Sequence, residues 1–188
     1  MNAAEPSIEI KTEFTPNPRS LKFNVNRVLL RGPSVFAQSR EEAVHRSPLA
    51  ASIFALGKVE SVLVGRDFVT VTRAAEVETW GALIGPVTRV VTEYCARGGG
   101  NAAGEEAAHA PASTEVEQRI LGVLEQYVRP AVQRDGGDVV FRGFAEGTVR
   151  LTLQGACSTC PSAIATLKSG IEKVLSSLVP EVQRVEQA

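Results

Sequence analysis

Three cysteines, two histidines, one methionine and one tryptophan are all that 188 residues hold of these types. An odd, small cysteine count excludes a disulfide framework. With only two histidines, no Ser/His/Asp set, no paired carboxylates and no phosphate-loop glycine pattern can be assembled from the sequence. No run approaches the ~18 apolar residues that a membrane-spanning helix needs. Met1 to Ile10 has neither a basic start followed by an apolar stretch nor an Arg-rich character, so a targeting segment is not expected there. Excess basic charge is missing too. Lys+Arg and Asp+Glu number 12 and 12 up to Ala112, then 8 and 9 beyond it. Binding to a phosphate backbone needs a basic excess that neither part has, so nucleic acid is a poor partner.

What remains is ordinary globular composition, 44% apolar and 22% charged. The segment 97–113 is Gly/Ala-rich without bulky apolar residues and reads as a flexible linker, with His109 in it. It separates a domain over 1–96 from one over 114–188, so the expected class is α+β in two small domains.

The first domain is expected to be rich in antiparallel strands. Ile8, Ile10, Thr12 and Phe14 alternate with charged residues, and Leu21, Phe23 and Val25 alternate again. Ser47-Pro48 marks a helix start, and His45 just before it reads as a surface or capping residue. Val59–Val64 and Phe68–Thr72 flank Gly65-Arg-Asp67 as a hairpin. Trp80, Leu83, Ile84, Val87, Val91 and Tyr94 then form one helical stripe, where the two aromatics read as core. Cys95 at its end reads as a structural thiol.

In the second domain, Thr114-Glu-Val-Glu117 matches a capping box ahead of Val116, Ile120, Val123, Leu124 and Val128. Pro130 is expected to bend or end that helix and Gly136-Gly137 to stop it. Asp135 and Asp138 then read as parts of a helix-stop turn. Val139–Ala145 and Val149–Leu153 read as a hairpin turning at Glu146-Gly147. Ile164, Leu167, Ile171, Val174 and Leu178 give a long amphipathic helix, ended by Pro180, and Val182–Val185 a short closing strand. The order is α-β-β-α-β, a small mixed sheet packed against helices.

The chemistry lies in Cys157-Ser-Thr-Cys160, followed by Pro161 at the first turn of that helix. The helix N-terminus favours a thiolate or an anionic thiolate-bound group. Three readings follow. A dithiol/disulfide oxidoreductase is expected in a βαβ setting of thioredoxin type, whereas a hairpin precedes this motif and the domain is short. Structural zinc takes four protein ligands. An iron–sulfur cluster is usually held by four thiolates. For either metal reading one chain supplies two sulfurs, so a second chain must supply the rest, on a twofold axis.

Beyond that count, Arg134-Asp-Gly-Gly-Asp-Val139, Leu153-Gln-Gly-Ala-Cys-Ser-Thr-Cys-Pro-Ser162, Thr166-Leu-Lys168, Gly170-Ile-Glu172 and Pro180-Glu-Val182 resemble the NifU C-terminal (Nfu) domain. Thr12-Glu-Phe-Thr-Pro-Asn-Pro18, Leu21-Lys-Phe23, Ser47-Pro-Leu-Ala50 and Gly65-Arg-Asp-Phe-Val-Thr-Val71 resemble the N-terminal domain of Nfu-type proteins. The resemblance implies a non-enzymatic scaffold or carrier. It would hold a [4Fe-4S] cluster, or transiently a [2Fe-2S] one, between two chains through Cys157 and Cys160. Donor and recipients would be an upstream assembly scaffold and apo iron–sulfur proteins, with a cluster-bound homodimer and no membrane or nucleic acid. A cytoplasmic location is expected, or the mitochondrial matrix for a processed form.

Overall fold

A computed structural model describes residues 7–99, 109–158 and 161–188, without the side chains of 161–163. Two compact units divide the chain: Met1–Glu13 with Leu21–Glu106, and Phe14–Ser20 with Ala107–Ala188. The architecture is mixed α+β, as the residue patterns predict. The linker expected over 97–113 lies partly outside the described residues. Among them, no helix is long and apolar enough to cross a membrane.

The first unit carries a five-stranded sheet ordered β1-β2-β5-β4-β3. Its strands are β1 (Ile10–Phe14), β2 (Ser20–Val25), β3 (Val35–Ala37), β4 (Val59–Val64) and β5 (Phe68–Arg73). The β3–β4 and β4–β5 pairs are antiparallel. Leu21, Phe23 and Val25 and the alternate residues Val62, Val64, Val69 and Val71 face one core, which α2 (Pro48–Phe54) and α3 (Gly81–Ala96) close with Leu49, Ile53, Val87 and Val91. Trp80 and Tyr94 pack against that core, as expected.

Three local outcomes differ from the sequence pattern. The alternation around β1 holds only at its start: Ile8 and Ile10 pack against the core, but β1 is an edge strand and Phe14 at its end is 84% exposed. Helix α1 (Arg40–Arg46) has no apolar period to reveal it, since it buries only Ala43. It is set instead by its cap, where Ser39 accepts from the Glu42 N–H. His45 therefore lies inside a helix, in its basic last turn. Strand β3 is three residues long, too short for a period to show.

In the second unit, α4 (Glu115–Val123) runs through one wide π turn, Leu124–Val128, into α5 (Arg129–Arg134). Pro130 cannot donate a backbone hydrogen bond, yet the helix neither ends nor breaks before it. The wide turn, in which the Arg129 N–H reaches the Leu124 carbonyl, carries the chain past it. The three-stranded sheet is ordered β6 (Gly137–Ala145), β7 (Thr148–Gly155), β8 (Arg184–Gln187). β6–β7 is antiparallel and β7–β8 parallel. The hairpin turns on Glu146 and Gly147, both left-handed at φ 49° and 75°, as a two-residue connection requires. Helix α6 (Pro161–Leu178) crosses from β7 to β8. Val139, Phe141, Val149, Leu151 and Leu153 from the sheet meet Ile120, Leu124, Val132, Ile171 and Leu175 from the helices in one core.

The start of α4 is held by the expected capping box. Thr114 accepts from the Glu117 N–H, and the Glu117 carboxylate accepts from Ser113 Oγ at 2.7 Å and the Ser113 N–H at 2.8 Å. Those bonds from the Ser113 hydroxyl and then its N–H hold the Glu117 carboxyl below its ordinary range. Thr114→Ala is expected to cost about 1 kcal/mol in urea denaturation. The Glu117 contribution is complete above the unfolded-state value of about 4.3 and is lost as pH falls through the lower folded value. Glu117→Gln should therefore flatten the acid limb of the stability profile, with its destabilisation greatest near neutrality and vanishing at low pH.

Candidate functional site

Two glycine-bearing turns build the floor of the site. One joins α5 to β6 through Asp135-Gly136, and the other, Ala156-Cys157-Ser158, follows β7. Gly137 and Gly155 are register partners across the two strands, and the Ala156 N–H donates to the Gly136 carbonyl at 3.1 Å. Ser158 tightens the second turn: its N–H and hydroxyl both donate to the Gly155 carbonyl, at 3.1 and 2.8 Å. Cys157 thus stands on a hydrogen-bonded base at the end of β7.

Cys157 is 5% exposed and belongs to the core cluster with Val132, Leu153 and Ile171. Its sulfur lies close over Gly137: a Cβ on that glycine would stand 2.6 Å from Cys157 Sγ, 2.9 Å from the Gln154 carbonyl oxygen and 3.1 Å from Val132 Cγ1. Beside the cysteine opens a cavity of about 500 Å³ with apolar walls, Val132, Leu167 and Ile171 among them. Tyr127, from the wide turn, stands at its rim and is 52% exposed. Cys160 lies outside the described residues. The backbone of α6 starts at Pro161, the residue after it.

Behind the floor lies a polar network that the sequence did not announce. Asp138 is 1% exposed and belongs to β6, which starts two residues earlier than expected, rather than to a helix-stop turn. Its Oδ1 accepts from Arg129 Nε at 3.0 Å and from the Val139 N–H at 2.8 Å. Arg129 also donates to the Glu125 carboxylate and to the Val139 carbonyl. Glu125 Oε1 lies 2.7 Å from His109 Nε2, while the Phe141 N–H donates to His109 Nδ1 at 2.8 Å. An Nδ1 that accepts fixes the proton on Nε2, which donates to Glu125. His109 is therefore bound to β6 instead of lying in a linker, and the Ala110 N–H bonds the Phe141 carbonyl beside it. No spacing rule links residues 109, 125, 129 and 138, so only the fold could bring them together.

Cys95 lies at the end of α3, in the other unit, half-buried against its core. Burial pushes its thiol up, with partial relief from the Arg27 charge. Among the described residues, no three or more His, Cys, Asp or Glu side chains are grouped so as to hold a metal.

Residues 10–98 match the family model described as scaffold protein Nfu/NifU N terminal, and residues 120–186 the one described as NifU-like domain. A human protein named NFU1 iron-sulfur cluster scaffold homolog, mitochondrial, is 40% identical over 95% of this chain and 71% of its own length. The chain belongs to the NifU-like (Nfu) family. An Arabidopsis thaliana relative, NifU-like protein 5, mitochondrial, is 43% identical, with coverage of 95% and 67%. A Drosophila virilis protein with the same name as the human one is 38% identical over 96% of this chain, which spans 62% of that relative. For the Nfu-type chain, the two matched segments lie on either side of residues 99–119, and the cysteine motif falls inside the second.

Proposed function

We propose that this chain is a carrier of iron–sulfur clusters: it holds one between two copies of itself through Cys157 and Cys160 and passes it to apo-proteins. The observation that carries this reading is the ligand count at the strand-to-helix turn. One buried cysteine and a second three residues on offer two sulfurs, and no described group completes a site within one chain. A cluster needs about four thiolates, which two chains meet on a twofold axis. The scaffold names of the human and Drosophila relatives support the same role. A [4Fe-4S] cluster is the cargo proposed, with an upstream scaffold as donor and no turnover chemistry of the chain's own. Delivery would be ligand exchange, in which recipient thiolates replace Cys157 and Cys160 in turn. The mitochondrial names of those relatives favour the matrix over the cytoplasm.

One observation favours a second reading. β7, α6 and β8 form a strand–helix–strand crossover with parallel strands, so the cysteine motif does sit in a βαβ unit. That setting suits a dithiol oxidoreductase better than the hairpin expected from sequence suggested. Against it stand the scaffold names of the human and Drosophila relatives.

Anaerobic reconstitution with iron and sulfide, followed by iron analysis and mass determination, tests the carrier. The expected product is a dimer with about four irons per two chains. A monomer carrying a full cluster would sink the bridging arrangement, and rapid disulfide reduction without cluster uptake would install the oxidoreductase.

A further inference from the structure

β6 lies at the edge of its three-stranded sheet, so every second residue turns its backbone N–H and carbonyl away from β7. An open row of such groups is a template on which another strand can pair. On β6 the row is closed, and not by a strand. The Val139 N–H donates to the Asp138 carboxylate, and the Val139 carbonyl accepts from Arg129. At Phe141, two positions on, the N–H donates to His109 Nδ1 at 2.8 Å and the carbonyl accepts from the Ala110 N–H at 2.8 Å. Val139, Val140 and Phe141 are fully buried. Past the irregularity in the hairpin register that follows Phe141, the Phe144 N–H donates to the Glu117 carboxylate.

A neighbouring strand would serve Phe141 with the N–H and carbonyl of one residue. Here Ala110 supplies the N–H, and the imidazole of the residue before it stands in for the carbonyl. The ring is mostly buried and held from its other side, where Nε2 faces the Glu125 carboxylate at 2.7 Å and the Arg129 guanidinium at 3.0 Å. Pro111 comes next and has no N–H to offer. The strand-like contact is therefore one residue long and cannot grow, which is how prolines protect sheet edges.

We infer that His109-Ala110-Pro111 is a strap that closes the β6 edge against strand addition by a second copy of this chain. A second copy is the partner that such an edge fits, because two identical strand edges laid antiparallel are self-complementary. Chains that meet at one face to share a cluster gain from having no second way to pair. That benefit rests on the carrier reading given above; the closure itself does not.

The test is amide hydrogen exchange on the full chain, reduced and kept metal-free by a chelator, resolved by NMR. In the parent, the Phe141 amide should be protected on the scale of Val140, whose register partner is Thr152 inside the hairpin. His109→Ala should speed Phe141 exchange by roughly tenfold, the scale of one hydrogen bond, and leave Val140 unchanged. Unchanged protection at Phe141 would overturn the strap. His109→Asn, whose side-chain oxygen can stand near the place of Nδ1, should restore most of the protection. Equal loss in both variants would assign the effect to ring packing and overturn the acceptor role.

The double variant His109→Ala/Ala110→Pro leaves both Phe141 groups without their partners. Sedimentation velocity should show association that grows with protein concentration, while the parent keeps one mass over the same range. Equal association of parent and variant would overturn the closure, and so would a folded variant that loses protection yet keeps the parent's mass. Circular dichroism checks the fold; if the double variant loses it, His109→Ala alone carries the same comparison. With no cluster present, neither readout depends on Cys157 or Cys160, so failure of the carrier reading leaves the strap standing.

Discussion

Cys157→Ala is expected to give a folded protein that retains no cluster after reconstitution. Two chains of the variant would bring at most the two Cys160 sulfurs where about four thiolates are needed. Nothing nearby can substitute, since no described cluster of His, Cys, Asp or Glu offers an alternative ligand set. Loss of cluster should therefore be complete, visible as the absence of iron, sulfide and the absorption of the loaded parent. The fold should survive. Cys157 contributes a single sulfur to a core whose bulk is Phe141, Leu124, Leu151 and Leu175, and the cost should be about 1 kcal/mol, typical of a modest core change. Urea denaturation of the metal-free protein reads that cost apart from cluster content. Cys95→Ala is the matched control: its thiol belongs to the other unit and should leave loading unchanged. A Cys157→Ala protein that kept its cluster would remove Cys157 from the ligand set.

Asp138→Ala is expected to produce the largest loss of stability among changes outside the apolar core. Removing one partner of a buried ion pair costs about 3–5 kcal/mol when the other is left uncompensated. Arg129 keeps its bonds to Glu125 and the Val139 carbonyl, so the loss should fall near the lower end, about 3 kcal/mol. Part of it comes from the Val139 N–H, which loses the Asp138 oxygen as its acceptor. Asp138→Asn preserves shape and an oxygen acceptor and should cost clearly less. Denaturation midpoints of the two variants decide the matter; equal losses would mean that charge, not shape, is what Asp138 contributes.

The second unit was more legible than the first for a physical reason. Long periodic elements such as α6 announce themselves, and so does the Thr114–Glu117 capping box, although the end of the α6 stripe differs from the expected one: Leu175 is buried and Leu178 is 47% exposed. The hairpin of β6 and β7 was written in the alternation around Glu146-Gly147. Helix α1 and strand β3 were not legible, because seven residues with one buried side chain and three residues in a row carry no period. The wide turn at Leu124–Val128 was hidden because Pro130 marks a disturbance without saying whether the helix stops or passes it.

By itself the sequence determined the chemistry on offer: two sulfurs at a helix entry, three residues apart, and too few other ligands to complete a site. It also determined the family, through motifs spread over both domains. Only the tertiary structure decided that Asp138 is a buried partner of Arg129 rather than a turn residue, and that His109 is fixed to β6. It alone decided that the second glycine of the Asp-Gly-Gly-Asp stretch lies against the Cys157 sulfur. These are contacts between residues 9, 32 and 20 positions apart, set by how β6 pairs with β7 and how α5 packs on the sheet. A spacing rule reads neighbours along one element; it does not reach across two.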